Sequence, residues 1–166
     1  MISVRRAILI IIILVSCIGC DQATKTVAKS VLTQTGTISY FNDTIRFQLA
    51  LNEGAFMSLG SNLAESTRRY LFSFGAGCLL SCLLMFVLFH KPSNIHNISS
   101  LSLVIGGGFG NLIDRIAFNG KVVDFMNIGV GSIRTGIFNV ADIAITFGVV
   151  MLLVSSIRAQ KDQAPI

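Results

Sequence analysis

The sequence has little charge: 13% of its 166 residues are Asp, Glu, Lys or Arg, about half of what soluble domains carry. It holds two prolines and four cysteines, which excludes a proline-rich disordered chain and a small disulfide-stapled scaffold. Its 15 glycines follow no triplet period, so a collagen-like fibre is excluded as well. Instead, 52% of the residues are hydrophobic and the mean hydropathy is +0.74. This composition predicts a protein embedded in lipid.

The net charge of +5 does not indicate a nucleic-acid partner. The basic residues are scattered in ones and twos, without the basic stripe interleaved with aromatics that a nucleic-acid surface needs. We expect the excess of basic residues to reflect membrane topology.

Four stretches are apolar enough, or nearly so, to cross a bilayer as helices, which takes about 20 residues each. They are residues 7–28, 70–89, 98–115 and 137–157. The first apolar run is short, but Asp21, Lys25 and Ala28 recur at helical spacing and extend it to the far interface. We therefore predict an all-α membrane protein with four transmembrane helices, in which residues 1–166 form a single membrane domain.

Basic residues near the span ends predict the orientation. Lys and Arg are about twice as dense in the segments 1–6, 90–97 and 158–166 as in the segments 21–69 and 114–136. Both termini are therefore expected in the cytoplasm. Every acidic residue except Asp162 falls on the other side or at its boundary, so chemistry is expected at the outer face.

The outer segment of residues 30–68 is too long to be a mere connector. Residues 45–51 alternate between apolar and polar, as in a strand with one apolar face. This strand can pair with residues 37–41 across Asn42 and Asp43, and residues 121–136 can add a second pair. We expect a small β-sheet, here called the cradle, on the membrane surface.

Two features near the N-terminus have alternative explanations. Arg5 and Arg6 followed by an apolar run and Cys17 resemble a lipoprotein signal peptide. Because three more predicted spans follow, we expect the segment to be retained.

Cys17 and Cys20 form a C-x-x-C inside this apolar run, where a redox role is not expected, so all four cysteines are interpreted as packing residues.

No metal site is predicted. His90 and His96 flank the inner loop without a cysteine or carboxylate ladder beside them.

Acidic residues border the last two predicted spans, and two of them have ordinary structural explanations. Asp114 can pair with Arg115 or Lys121. Asp142 follows Asn139 by three residues, as in a helix N-cap with an acid in the first turn.

Asp124 has no such explanation. Its neighbours in residues 122–126 are apolar and do not stabilise an ionised carboxylate, so a nearby group is needed to share its proton. If Asp124 and Asp142 meet, the pair can hold one proton, as the carboxylates of an aspartic protease do. One carboxylate then activates a water, and the protonated one stabilises the oxyanion. Asp21 with Lys25 can be an ordinary i,i+4 ion pair.

Five motifs occur along the chain, at residues 21–25, 52–56, 107–115, 122–125 and 138–142. With these motifs in this order, the chain resembles the lipoprotein signal peptidase family, the membrane aspartyl proteases also called signal peptidase II. The resemblance implies that Asp124 and Asp142 are the catalytic pair. It also implies a set of residues that hold the substrate or brace the pair: Asp21, Lys25, Asn52, Gly54, Asn111, Asp114, Arg115 and Asn139.

The implied substrate is a prolipoprotein with a diacylglyceryl-modified cysteine, cut on the N-terminal side of that cysteine. The implied location is the bacterial cytoplasmic (inner) membrane, with lipid as surroundings, no cofactor and a monomeric enzyme. Gly106-x-x-x-Gly110 predicts close helix packing, and these glycines are also expected to supply a groove for the signal helix of the substrate.

One departure from the family pattern concerns the cradle. Ala55, Phe56, Met57 and Ser58 place the bulky side chain one position earlier than usual, which leaves the shape of the cradle open. Two other classes also remain: a small proton-coupled transporter or channel subunit with a carboxylate relay, and a structural subunit with ion-paired rims. A relay is expected to place acids at the bilayer midplane rather than at one rim.

Overall fold

The structure is a computed structural model that describes residues 4–53, 64, 66–67, 70–90 and 94–161. It consists of four long helices and a small antiparallel sheet. The helices are α1 (Val4–Thr35), α2 (Ala76–Phe89), α3 (Ile95–Ala117) and α4 (Val140–Lys161), and a π-helical stretch (Tyr70–Gly75) leads into α2. The strands are β1 (Ile38–Tyr40), β2 (Ile45–Asn52), β3 (Val122–Val130) and β4 (Ile133–Arg134). This confirms the predicted fold class.

Within the described residues, three helical segments are long and apolar enough to cross a membrane: Val4–Thr35, Tyr70–Phe89 and Val140–Gln160. The third predicted span is also a helix, α3, and its 23 residues extend about 34 Å, but it is not among the three. α3 contacts each of the other long helices, so much of its surface faces protein rather than lipid. A helix in the middle of a bundle can therefore carry serines and glycines that a lipid-facing helix does not favour.

Two glycines of α3 allow its neighbours to come within backbone contact. A Cβ added at Gly107 would lie 2.5 Å from the backbone oxygen of Ala141 in α4. One added at Gly110 would lie 2.7 Å from the carboxylate of Asp21 in α1. The predicted close packing is present, but the expectation that these glycines supply a groove for a substrate helix is wrong, because the chain's own helices occupy the space.

The four strands pair in the order β1-β2-β3-β4, all antiparallel. The predicted hairpin is present, with Ile38 opposite Phe47 and a turn whose residues 41–43 all have positive φ. One face of the sheet packs Phe125 against Ala28 and Leu32 of α1. The sheet therefore packs against the C-terminal end of α1, beyond the level of Asp21.

The register of the sheet brings β2 to the predicted site. Asn52, the last residue of β2, pairs with Val122, and Ala50 pairs with Asp124 after an irregularity that follows Phe47. The predicted site residue Gly54 lies outside the described residues, as do positions 55–58 of the unusual motif.

Candidate active site

Asp124 lies in the middle of β3 and is 2% exposed. Its Oδ2 accepts a hydrogen bond from the side-chain amide of Asn52 at 3.0 Å, and its Oδ1 accepts one from the side-chain amide of Asn139 at 2.6 Å. The flanking residues Val122, Val123 and Phe125 are buried. The carboxyl group is thus held from both sides inside an apolar strand.

Burial raises the pKa of Asp124 to about 6. The negative charge of Asp142 contributes to this increase in pKa, whereas the hydrogen bonds from Asn52 and Asn139 and the charge of Lys25 oppose it. Because burial outweighs the two amide donors, Asp124 holds its proton closer to neutrality than an ordinary aspartate does.

Asp142 lies in the first turn of α4. Its Oδ1 accepts from the side-chain amide of Asn111 at 2.9 Å, and its Oδ2 accepts from the backbone N–H of Asn139 at 3.1 Å. The backbone N–H of Asp142 in turn donates to Oδ1 of Asn139 at 3.0 Å. This reciprocal pattern is a capping box, so the capping explanation that the sequence offers for Asp142 is correct.

Asn139 connects the two aspartates. Its side-chain amide donates to Asp124, its backbone amide donates to Asp142, and its side chain is fully buried. The same side-chain amide also lies 3.0 Å from Oδ1 of Asn111. Asp124 and Asp142 are therefore bound to one residue, although they come from a strand and a helix separated by 18 positions.

Lys25 is the centre of a buried ionic cluster, formed by Lys25, Asp21 and Asp114. Its Nζ lies 2.7 Å from Asp21, 2.9 Å from Asp114 and 3.1 Å from Oδ1 of Asn111. All three ionic side chains are at most 2% exposed. A buried charge needs such pairing because unpaired burial is costly.

The ionic cluster joins four elements at one level. Asp21 accepts from the backbone N–H of Ala141 in α4 at 3.0 Å, and Asp114 accepts from the backbone N–H of Val123 in β3 at 2.9 Å. These two N–H groups belong to residues next to Asp142 and Asp124. The cluster therefore positions the backbone that carries both candidate catalytic side chains.

The predicted partners of Asp114 are wrong. Asp114 pairs with Lys25, and Lys121 instead forms an ion pair of 2.7 Å with Glu53. Arg115 is held with its guanidinium 5.9 Å from the ring centre of Phe72. Adjacent helical positions point in different directions, and the ion pair of Asp114 is with Lys25 of α1.

Gln22 is a site residue that the sequence reasoning missed. Its side-chain amide donates to Asp114 at 3.0 Å and to the backbone oxygen of Gly110 at 3.1 Å. Its position in the first motif, between Asp21 and Lys25, is the sequence feature that could have indicated it.

A cavity of about 570 Å³ opens beside Asp142. Asn52 and Asp142 contribute polar groups to it, and Phe138, Ile143 and Phe147 contribute apolar ones. Phe147 is 58% exposed on the outside of α4. The cavity thus leads from the exposed side of α4 to one of the two aspartates.

Comparisons with known proteins agree with this architecture. A family model described as signal peptidase (SPase) II matches residues 11–158. The lipoprotein signal peptidase of Francisella tularensis subsp. novicida (strain U112) is 34% identical over 148 residues, which are 87% of this chain and 88% of that protein. The lipoprotein signal peptidase of Desulforapulum autotrophicum is 32% identical over 138 residues, 82% and 83% of the two chains.

Two solved structures of bacterial membrane enzymes, obtained by the in meso method, have the same fold. One has a TM-score of 0.77 at 24% identity and covers 95% of this chain and 92% of its own. The other has a TM-score of 0.75 at 25% identity, covering 88% and 90%. The resemblance carried by the five motifs is confirmed, and the chain belongs to the signal peptidase II family of proteases.

Proposed function

We propose that this protein is an aspartyl endopeptidase that removes signal peptides from prolipoproteins by cutting before the diacylglyceryl-modified cysteine. The observation that carries the proposal is the shared binding of Asp124 and Asp142 to Asn139. Membership of the signal peptidase II family and the names of the relatives support the substrate class.

The chemistry follows from one proton held by two carboxyl groups. The ionised carboxylate accepts a proton from a water molecule, whose oxygen attacks the scissile carbonyl carbon. The protonated carboxyl group donates a hydrogen bond to the carbonyl oxygen as negative charge develops there. When the C–N bond breaks, the amine leaves with a proton from the pair, which restores the starting state. A pKa of about 6 for Asp124 suits this role, because the group keeps its proton to a higher pH than an ordinary aspartate does.

The cavity beside Asp142 is suited to a substrate that arrives from lipid. Its apolar walls, Ile143 and Phe147, are on α4, and its polar end reaches Asp142 and Asn52. The acyl chains of the substrate then stay in the bilayer while the scissile bond reaches the aspartates. No step in this scheme requires a cofactor.

We further propose that the enzyme is a monomeric multi-pass protein of the bacterial inner membrane with both termini in the cytoplasm. The aspartates then lie at the outer face, where exported precursors present their modified cysteine. The density of Lys and Arg in the end segments supports this orientation.

The test compares two substrates on the purified protein in detergent or nanodiscs. One is a diacylglyceryl-modified precursor, and the other is the same precursor without the lipid. Cleavage of only the modified precursor, before the cysteine, is the expected result. Cleavage of both at equal rates would remove the proposed substrate class.

The same assay tests the catalytic pair. Asp124→Asn is expected to lose cleavage while it keeps insertion and thermal stability. Asn127→Ala in the same strand is the matched control, because Asn127 binds Thr135 and Arg134 rather than either aspartate. Retained cleavage in both Asp124→Asn and Asp142→Asn would end the proposal. Proton flux through proteoliposomes that persists in Asp124→Asn would favour a transporter instead.

A further inference from the structure

A large groove lies at the end of the bundle away from the aspartates. It has a volume of about 890 Å³ and runs between the start of α3 and the last turns of α4. Arg158, which lines it, follows Asp142 by 16 residues, a distance of about 24 Å along the helix. Nearly the whole thickness of a bilayer core therefore separates this groove from the candidate active site.

One end of the groove is polar and basic. Asn94, His96 and Asn97 come from the start of α3, and Arg158 comes from α4. Among the residues that the structure describes, no acidic side chain lines the groove, and Arg158 forms no ion pair with any of them. The first turn of α3 has no acidic residue either, so the positive end of its helix dipole adds to the charge of Arg158.

The other part of the groove is apolar. Val149, Leu153 and Val154 of α4 form this wall, and Leu153 and Val154 are 58% and 42% exposed. A ligand that matches both parts has a negatively charged head and a hydrocarbon body. A basic pocket between membrane helices, above an apolar wall, is the arrangement that binds the phosphate of an anionic lipid.

We propose that this groove is a binding site for an anionic phospholipid, with its phosphate at Arg158 and the start of α3 and its acyl chains along α4. Charge decides between this occupant and the substrate's own signal peptide. Signal peptides carry positive charge before their apolar segment, and Arg158 repels that charge.

Native mass spectrometry of the purified protein tests the proposal without any substrate, so its outcome is independent of the proposed protease activity. The protein is mixed with equal amounts of phosphatidylglycerol and phosphatidylethanolamine. The wild type is expected to retain phosphatidylglycerol in preference. Arg158→Gln is expected to reduce that preference about fivefold, the effect of removing one basic residue beside an anionic membrane lipid.

Arg5→Gln is the matched control, because Arg5 is an exposed basic residue that precedes Asp21 by 16 positions and so lies at the same end of the bundle. It does not line the groove, and its lipid preference is expected to equal that of the wild type. Equal retention of the two lipids by the wild type would overturn the proposal. An equal effect of Arg158→Gln and Arg5→Gln would also overturn it, since the preference would then reflect general charge.

A second variant tests the apolar wall. Leu153→Trp adds bulk inside the groove and is expected to reduce retention of phosphatidylglycerol. Leu79→Trp places the same bulk on α2, where Leu79 is 61% exposed, and is expected to leave retention unchanged. Equal retention in these two variants would contradict the placement of the acyl chains.

Discussion

Asn139 and Asp142 bind each other twice at the start of α4. The Asp142 backbone N–H donates to the side-chain oxygen of Asn139 at 3.0 Å, and the Asn139 backbone N–H donates to the Asp142 carboxylate at 3.1 Å. Each residue also has a second partner, Asp124 for Asn139 and Asn111 for Asp142. One structural motif thus starts a helix and holds a candidate catalytic carboxylate in place.

Replacing Asp142 separates these two roles. Asp142→Asn keeps an oxygen that can accept from the Asn139 N–H, so the cap survives, but the group can no longer act as a carboxylate. Asp142→Ala loses the carboxylate and also the oxygen that accepts from the Asn139 N–H, and the loss of this hydrogen bond costs about 1 kcal/mol. Cleavage is expected to fall on the order of 10²- to 10⁴-fold or more in both variants. Thermal unfolding is expected to rank Asp142→Ala below Asp142→Asn.

If Asp142 acted only as a cap, the ranking of cleavage would follow the ranking of stability. Substantial cleavage by Asp142→Asn together with its retained fold would contradict the catalytic role.

The local parts of this site could be predicted from the sequence. Asn139 with Asp142 has the spacing of a capping box, and Asp21 with Lys25 has the spacing of a helical ion pair. Both predictions are confirmed. The predicted partner of Asp114 is wrong. Its actual partner, Lys25, is 89 positions away and reaches Asp114 only through the packing of α1 on α3. A single sequence does not contain that packing register.

The pH dependence of cleavage follows from the raised pKa of Asp124. Since the proposed pair works with one proton, kcat/KM is expected to fall as the pH rises above about 6, where Asp124 loses its proton. Asn52→Ala removes a hydrogen bond that lowers this pKa, so the decline is expected to begin at higher pH. Asn127→Ala is the control and is expected to keep the wild-type midpoint. A wild-type midpoint in Asn52→Ala would exclude Asp124 as the titrating group.

Stability has its own pH dependence. Because the pKa of Asp124 is raised in the folded state, that state holds the proton more tightly than the unfolded chain does. This contribution is complete below about pH 4, the ordinary pKa of aspartate, and is lost as the pH rises through about 6. The Tm of the wild type is therefore expected to fall relative to the Tm of Asp124→Asn as the pH rises from 5 to 7.5. A constant difference in Tm over this range would show that the environment of Asp124 leaves its pKa unchanged.

Lys25→Met is expected to destabilise the protein strongly. It leaves Asp21 and Asp114 buried without their cation, and breaking a buried pair costs about 3–5 kcal/mol. Lys29→Met, one turn further along α1, removes only a contact over the ring of Phe118 and is expected to cost about 1 kcal/mol or less. Thermal unfolding in one detergent measures both.

The reason for the loss can be checked with a combined variant. Lys25→Met with Asp21→Asn and Asp114→Asn carries no uncompensated charge in the cluster and is expected to recover part of the stability. A triple variant less stable than Lys25→Met would mean that the cluster acts through packing and not through charge.

The spans could be predicted from apolar runs, but the role of α3 could not. Its glycines indicated close packing without showing which helices they contact. The structure assigns Gly107 to α4 and Gly110 to α1. Mean hydropathy identifies helices that face lipid, because it measures transfer into an apolar environment. A helix surrounded by protein needs small residues that let neighbouring backbones approach, so its sequence is less hydrophobic.

Gly107→Ala is expected to reduce cleavage by moving α4. The new Cβ would lie 2.5 Å from the backbone oxygen of Ala141, a distance that forces one helix away from the other, and Asp142 is the next residue of α4. A displacement of even 1 Å at a catalytic group costs about 10²-fold in rate. Gly19→Ala in α1 is the control, because its Cβ would meet nothing within 4 Å, and it is expected to cleave like the wild type. If Gly107→Ala cleaves normally while its fold is retained, the contact between α3 and α4 does not set the position of Asp142.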